Sequence, residues 1–405
     1  MHRLQQTFAA LRYYNFRLWF GGQIVSLFGT WMQTTAQGFL VYELTGSAAF
    51  LGYVGFASGL PSWLFMLMGG VVADRIPRRT MLIITQTSMM ILAFILAALT
   101  YTDLIQPWHI IVLAFLLGVA NAFDAPARLA LTNDLVEPED LTNAIALNGT
   151  MFNAAAIVGP ALASIVYAAA GPAWCFTLNG ISFLAVIIAL AFMRLTVAPA
   201  GTRRTSTGKA LLEGFRYVGA HTTILALISL VGAVGLFGMS FITLLPAWAV
   251  DVLDGDVKTN GLLLMARGIG ALLGALAIAS LGRFQYRGRL LTAGTFIMPV
   301  MLLAFSFTTL TPVAMLTLLV VGIAQIMIFN LANAAVQTSV DDTLRGRVMS
   351  IYSLVFFGIF PIGSFIAGQV AELASEQIAV RLSAILLGLF AIGLAIFVPA
   401  VRKIK

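Results

Sequence analysis

Apolar segments of membrane-crossing length recur along nearly the whole chain. This recurrence restricts the fold more than any other feature. The segments lie near residues 17–43, 48–73, 80–101, 108–132, 143–169, 173–195, 223–250, 259–281, 289–309, 312–337, 347–371 and 378–400. Crossing the hydrocarbon takes about 20 apolar residues per helix. In lipid, every backbone polar group must be satisfied within the spanning structure, so runs this long form helices. Of the 405 residues, 60% are hydrophobic and only 10% are charged. A soluble globule carries about a quarter charged residues. The expected architecture is therefore an all-α membrane protein with twelve transmembrane helices.

The one long polar connection, 196–222, divides the spans six and six. The expected organisation is an N-terminal six-helix half over 1–195, a cytoplasmic linker with a short amphipathic helix over 196–222, and a C-terminal six-helix half over 223–405. Within the linker, Leu211, Leu212, Phe215, Tyr217 and Val218 alternate with Glu213, Arg216 and His221. That pattern suits a helix lying along the membrane surface.

Lys and Arg placement sets the expected orientation. Of the 23 Lys and Arg residues, all but Lys258, Arg381 and Arg267 fall on one side of the membrane, and Arg267 lies inside a span. Both termini are thus expected in the cytoplasm. The formal net charge of +7 reads as topology and as contact with anionic lipid headgroups. Dispersed basic residues argue against nucleic-acid binding. Cys175 is the single cysteine, which excludes an intrachain disulfide. The first span is expected to be a retained helix rather than a signal peptide, because no small-residue cleavage site follows Arg3, Arg12 and Arg17.

The two halves echo one another. An offset of 209 relates Leu27-Phe28-Gly29 to Leu236-Phe237-Gly238, Gly52 to Gly261, Gly59 to Gly268 and Arg78 to Arg287. An offset of 204 relates Gly118 to Gly322 and Gly159 to Gly363. The ordered series predicts two pseudo-symmetric halves about an axis along the membrane normal.

Enzymatic signatures are missing from the sequence. Gly208-Lys209-Ala210 has Arg203 where a phosphate loop needs Gly, and Ala where it needs Ser or Thr. Histidine occurs only at His2, His109 and His221, so no metal cluster or histidine triad can be assembled. The chain is not expected to be an enzyme or to hold a metal or cofactor.

Charge collects instead at one junction. Gly70-Val71-Val72-Ala73-Asp74-Arg75-Ile76-Pro77-Arg78-Arg79 follows the second apolar run and leads into the third. It resembles the loop between the second and third helices of major facilitator superfamily transporters: a Gly, three residues, Asp-Arg, two residues and two basic residues. The second copy, around Arg283, Arg287 and Arg289, lacks the acid. Tyr14-Asn15-Phe16-Arg17, Gly29-Thr30-Trp31-Met32-Gln33 and the polar stretch Asn121 to Pro160 are similar to the drug and siderophore exporter branch of that superfamily, which includes the enterobactin exporter. The resemblance covers essentially the whole chain. It implies a secondary transporter of a bacterial cytoplasmic membrane, exporting amphipathic small molecules by proton antiport with alternating access, and working as a monomer among membrane lipids. An importer or facilitator of a small metabolite, and a non-transporting relic of the fold, are the alternatives.

Several residues follow as candidates. Gly70, Asp74, Arg75, Arg78, Arg79 and Asp134 would form a cytoplasmic gate, with Asp74, Arg78 and Asp134 joining the second, third and fourth spans. With every histidine near a span end, a proton carrier inside a span must be a carboxylate. Asp124 is the leading candidate, with Arg128 one turn away, and Glu43 is a second. A permanent ion pair is the competing reading of Asp124 and Arg128. Gln33, Gln37, Asn121, Asn148, Asn153, Arg267, Gln325 and Asn330 would line a substrate cavity or bond neighbouring helices. Gly159 and Pro160 resemble the fifth-span antiporter motif, in part. Close helix packing explains them equally.

Overall fold

The computed structural model describes residues 8–73, 76–194, 207–281 and 286–404, which are largely helical and contain no strand. The first six spans are α1 (Tyr14–Thr45), α2 (Ala48–Ala73), α3 (Arg78–Tyr101), α4 (Pro107–Asp134), α5 (Leu141–Ala170) and α6 (Pro172–Phe192). A shorter helix, α7 (Thr207–Ala220), follows. The remaining spans are α8 (Thr222–Val252), α9 (Val257–Leu281), α10 (Arg287–Phe305), α11 (Thr311–Ser339), α12 (Asp342–Leu373) and α13 (Glu376–Phe397). Among the described residues, 11 helices are long and apolar enough to cross a membrane. Of the twelve expected spans the one outside that set is α1, which at 32 residues is long enough but carries Gln23, Gln33, Gln37 and several Ser and Thr.

Local chemistry sets the ends. Gln106 caps α4 in a reciprocal box with His109, just before Pro107. Gly171, at φ 86°, ends α5 and hands over to Pro172, whose missing N–H costs nothing in a first turn. Ser375 Oγ caps α13 by accepting from Ile378 N at 3.2 Å.

The seventh span is not the continuous α-helix expected over 223–250. It contains π-helical turns at Val234–Gly238 and Trp248–Val252, with a break at Met239 and Ser240 between them. Gly235 and Gly238 weaken the first half, and Pro246 removes a backbone donor before the second turn.

The chain divides into two compact units. The first gathers the described residues up to Thr45 and from Leu60 to Arg194. In it α1 packs on α5 and α6, and α3 packs on α4 and α6. Close approach needs small residues: a Cβ on Gly29 would lie 2.4 Å from Ser182 Oγ, and one on Gly159 would lie 2.3 Å from Trp31 Cβ. The second unit gathers Gly46–Gly59 and the described residues from Thr207 onward. Here α9 and α10 pack on α11, and α12 packs on α8. Gly363 of α12 meets α8 as Gly159 of α5 meets α1, its Cβ position lying 2.3 Å from Leu236 O. The repeat is thus realised as matching helix contacts in each unit. Amphipathic α7 turns Val218 inward, leaves Leu212 and Phe215 exposed, and ties to α12 through an ion pair between Glu213 and Arg347.

Candidate functional site

The first unit encloses a cavity of about 260 Å³. From α1 come Ser26, Leu27, Thr30, Trp31, Gln33 and Thr34, and from α4 come Leu117, Asn121 and Arg128. Met89 of α3, Phe152 of α5, and Asn179 and Phe183 of α6 close it. Ser26, Thr30 and Gln33 recur at spacings of four and three, which places them on one face of α1. Trp31 and Phe152 meet edge to face with centroids 5.6 Å apart, a favoured aromatic geometry. Much of the polar wall is already bonded. Asn179 Nδ2 donates to Gln33 Oε1 at 2.6 Å, and Ser182 Oγ donates to Asn179 Oδ1 at 3.1 Å. Thr30 and Thr34 donate to backbone carbonyls one turn earlier, leaving their lone pairs available.

Behind this wall sits Asp124, wholly buried. Its Oδ1 accepts from Thr85 Oγ1 at 2.8 Å and from Gln86 Nε2 at 2.9 Å. Its Oδ2 accepts from Arg128 Nε at 2.9 Å and also from Arg128 Nη2. Two donors per oxygen account for the lone pairs of a carboxylate. A buried charge is tolerable only when paired and hydrogen-bonded in this way. Arg128 is only partly buried and reaches the cavity.

Gln33, Asn121 and Arg128 therefore share one cavity. Gln37 is buried one turn beyond Gln33, outside the lining. Asn148 donates to Thr132 Oγ1 at 3.3 Å, linking α5 to α4. Asn153 is half-buried outside the lining. Glu43 is exposed and accepts from Tyr167 Oη. Gly159 and Pro160 are buried within an unbroken α5.

At the α3–α4 end, Arg78 Nη1 donates to Ala130 O at 3.0 Å and pairs with Asp134, while Arg79 Nη2 donates to Ala191 O at 2.7 Å. Gly70 lies in the last turn of α2, and Asp74 and Arg75 fall outside the described residues. In the second unit Arg267 is buried and donates through Nη1 to Gln325 Oε1 at 3.2 Å. Its Nε has no partner, and no carboxylate among the described residues pairs with it. Asn330 is exposed on α11.

Sequence reasoning missed Thr85 and Gln86, two ordinary polar residues in α3 that only the fold brings to Asp124. It also missed Phe152 and Phe183, which look like lipid-facing or core aromatics. The Ser26–Thr30–Gln33 stripe was a readable signal in the most polar of the spans.

A bundle of this architecture, with a polar cavity walled by its own helices and charges held inside, defines a membrane transporter of the major facilitator fold. The chain belongs to the transmembrane secretion effector family, which it matches over residues 5–405. It is 28% identical to the multidrug efflux pump Tap of Mycolicibacterium fortuitum, covering 90% of this chain and 91% of that protein. It is 26% identical to macrolide efflux protein A of Streptococcus pyogenes, covering 97% and 98%. It is 24% identical to a staphyloferrin A transporter of Staphylococcus aureus, covering 88% and 89%. The solved structure of the nucleoside transporter NupG superposes with a TM-score of 0.71 over 96% of this chain and 98% of that one, at 16% identity, which supports the fold alone. The family and these relatives are transporters, not enzymes.

Proposed function

We propose that the protein is a secondary active exporter of amphipathic small molecules in a bacterial cytoplasmic membrane, with both termini cytoplasmic. It works by proton antiport and alternating access between its N-terminal half, 1–195, and its C-terminal half, 223–405, joined by the cytoplasmic linker 196–222. The observation that carries this reading is the first-unit cavity, whose aromatic and amide walls back onto a buried, ionisable Asp124. A mixed wall of this kind suits ligands with an apolar body and a few polar groups. The efflux pumps named among the relatives point to outward transport.

In the cycle, Asp124 is the proton carrier. A proton on Oδ2 would displace one guanidinium N–H, so protonation and the Arg128 contact compete for the same lone pairs. Cargo reaching Arg128 would act on the same equilibrium. Arg78 with Asp134, together with Asp74, Arg75, Arg79 and Gly70, forms the cytoplasmic gate. Within the C-terminal half, Gln325 and Arg267 form a polar contact of their own that is a candidate for a further cargo contact. The test is uptake of a panel of dyes, drugs and siderophores into inside-out vesicles, with and without an imposed pH gradient. Gradient-dependent accumulation of at least one compound is expected. Transport of none, or transport indifferent to the gradient, would defeat the reading.

A further inference from the structure

We infer that the first-unit cavity selects cargo bearing a carboxylate or similar oxygen-rich acceptor group, and discriminates against ammonium cargo. This rests on the reading of that cavity as the cargo site. Among the described residues, Arg128 is the one charged side chain in the lining, and no Asp or Glu appears there. Its counter-ion is out of reach: Asp124 is fully buried, and both its oxygens already accept two bonds. The ion pair is therefore presented with its cationic end towards the cavity.

The geometry of the fork sharpens the point. Arg128 spends Nε and Nη2 on Asp124, and Nη1 engages no described residue. A guanidinium so fixed is pre-oriented, which reduces the ordering cost of a new bond. Gln33 Nε2 is a second unengaged donor, its own oxygen being taken by Asn179. Asn121, also unbonded, offers a further amide on the same wall as Arg128. Donors on Arg128, Gln33 and Asn121 thus line the same cavity and are open to an acceptor group, while Trp31, Phe152 and Phe183 can receive an aromatic or apolar body. An ammonium group entering the cavity would meet a like charge and find no carboxylate.

The test is equilibrium binding to the purified full chain in detergent, using naphthoate and naphthylmethylammonium as probes of equal body and opposite charge. Wild type should bind naphthoate about tenfold more tightly than the ammonium, because the charge-assisted bond is the strong one. Removing Arg128 alone would strand Asp124, so the decisive protein is the Asp124→Asn, Arg128→Gln double variant. There the preference should collapse to about twofold or less, through loss of naphthoate binding. Arg128→Lys, which keeps charge but not the fork, should fall between. Preference of wild type for the ammonium, binding of neither probe, or a preference retained in the double variant would each overturn the inference. Because the readout is binding, a wild-type preference for naphthoate that collapses in the double variant, alongside absent vesicle transport, would defeat the export reading and leave this one standing.

Discussion

Among the described residues, Asp124–Arg128 is the one ion pair whose carboxylate is wholly buried. Arg128→Met would leave a carboxylate buried with half its donors gone. The expected loss is about 3–5 kcal/mol of stability, read by thermal or chemical denaturation in detergent. A double change to Asp124→Leu with Arg128→Met should recover most of it, since it removes both charges together. Full stability of Arg128→Met would mean that Asp124 is not held as an ion. Arg267 predicts the opposite signature. It is a buried cation with a single amide partner and an unsatisfied Nε, so its desolvation goes largely uncompensated. Arg267→Met is expected to be at least as stable as wild type while losing most transport. A destabilised but active variant would make Arg267 a packing residue. Spacing made the chemistry of α4 legible, since Asn121, Asp124 and Arg128 recur at three and four residues and must share a face. It could not reveal which residues of α3 complete the site, because Thr85 and Gln86 reach Asp124 across a helix interface.

Some elements meet closely where a side chain is missing. Gly159 approaches α1 so nearly that its Cβ position lies 2.3 Å from Trp31 Cβ and 3.2 Å from Met32 N. Gly159→Ala should therefore cost about 1–3 kcal/mol by overpacking and press α1 into the cavity it lines, lowering the melting midpoint and transport together. Trp31→Ala should not rescue it, because alanine keeps the clashing Cβ. Rescue would place the contact in the indole instead. The Gly-Pro pair was legible as a motif, but its partner was not: nothing in the sequence of α5 says that Trp31 faces it. Similarly, the sequence reading took 223–250 as one continuous span, and the two π turns were not read from residue types although Gly235, Gly238 and Pro246 lie there.

At the scale of the whole chain, hydropathy and the glycine series foretold most of the architecture, because a bilayer restricts spans so severely. Span ends differ from the sequence reading by only a few residues, and the offset that relates Gly159 to Gly363 appears as matching contacts of α5 on α1 and α12 on α8. The one span that falls short in hydropathy, α1, does so because it carries the polar stripe of the cavity. Orientation is tested by single cysteines in a Cys175→Ser background. Lys258→Cys should react with an impermeant maleimide added outside cells, and Glu137→Cys only after permeabilisation. The reverse pattern would invert the topology.

The central claim is that cargo passes through the cavity of the first unit. Thr30→Trp tests it most directly, because Thr30 lines that cavity and makes no bond to Asp124 or Arg128. The measurement is gradient-driven uptake into inside-out vesicles of a compound that wild type transports, at matched protein levels and with the melting midpoint checked. Filling the cavity should abolish uptake in a protein that still inserts and folds. Uptake at the wild-type rate would contradict the account.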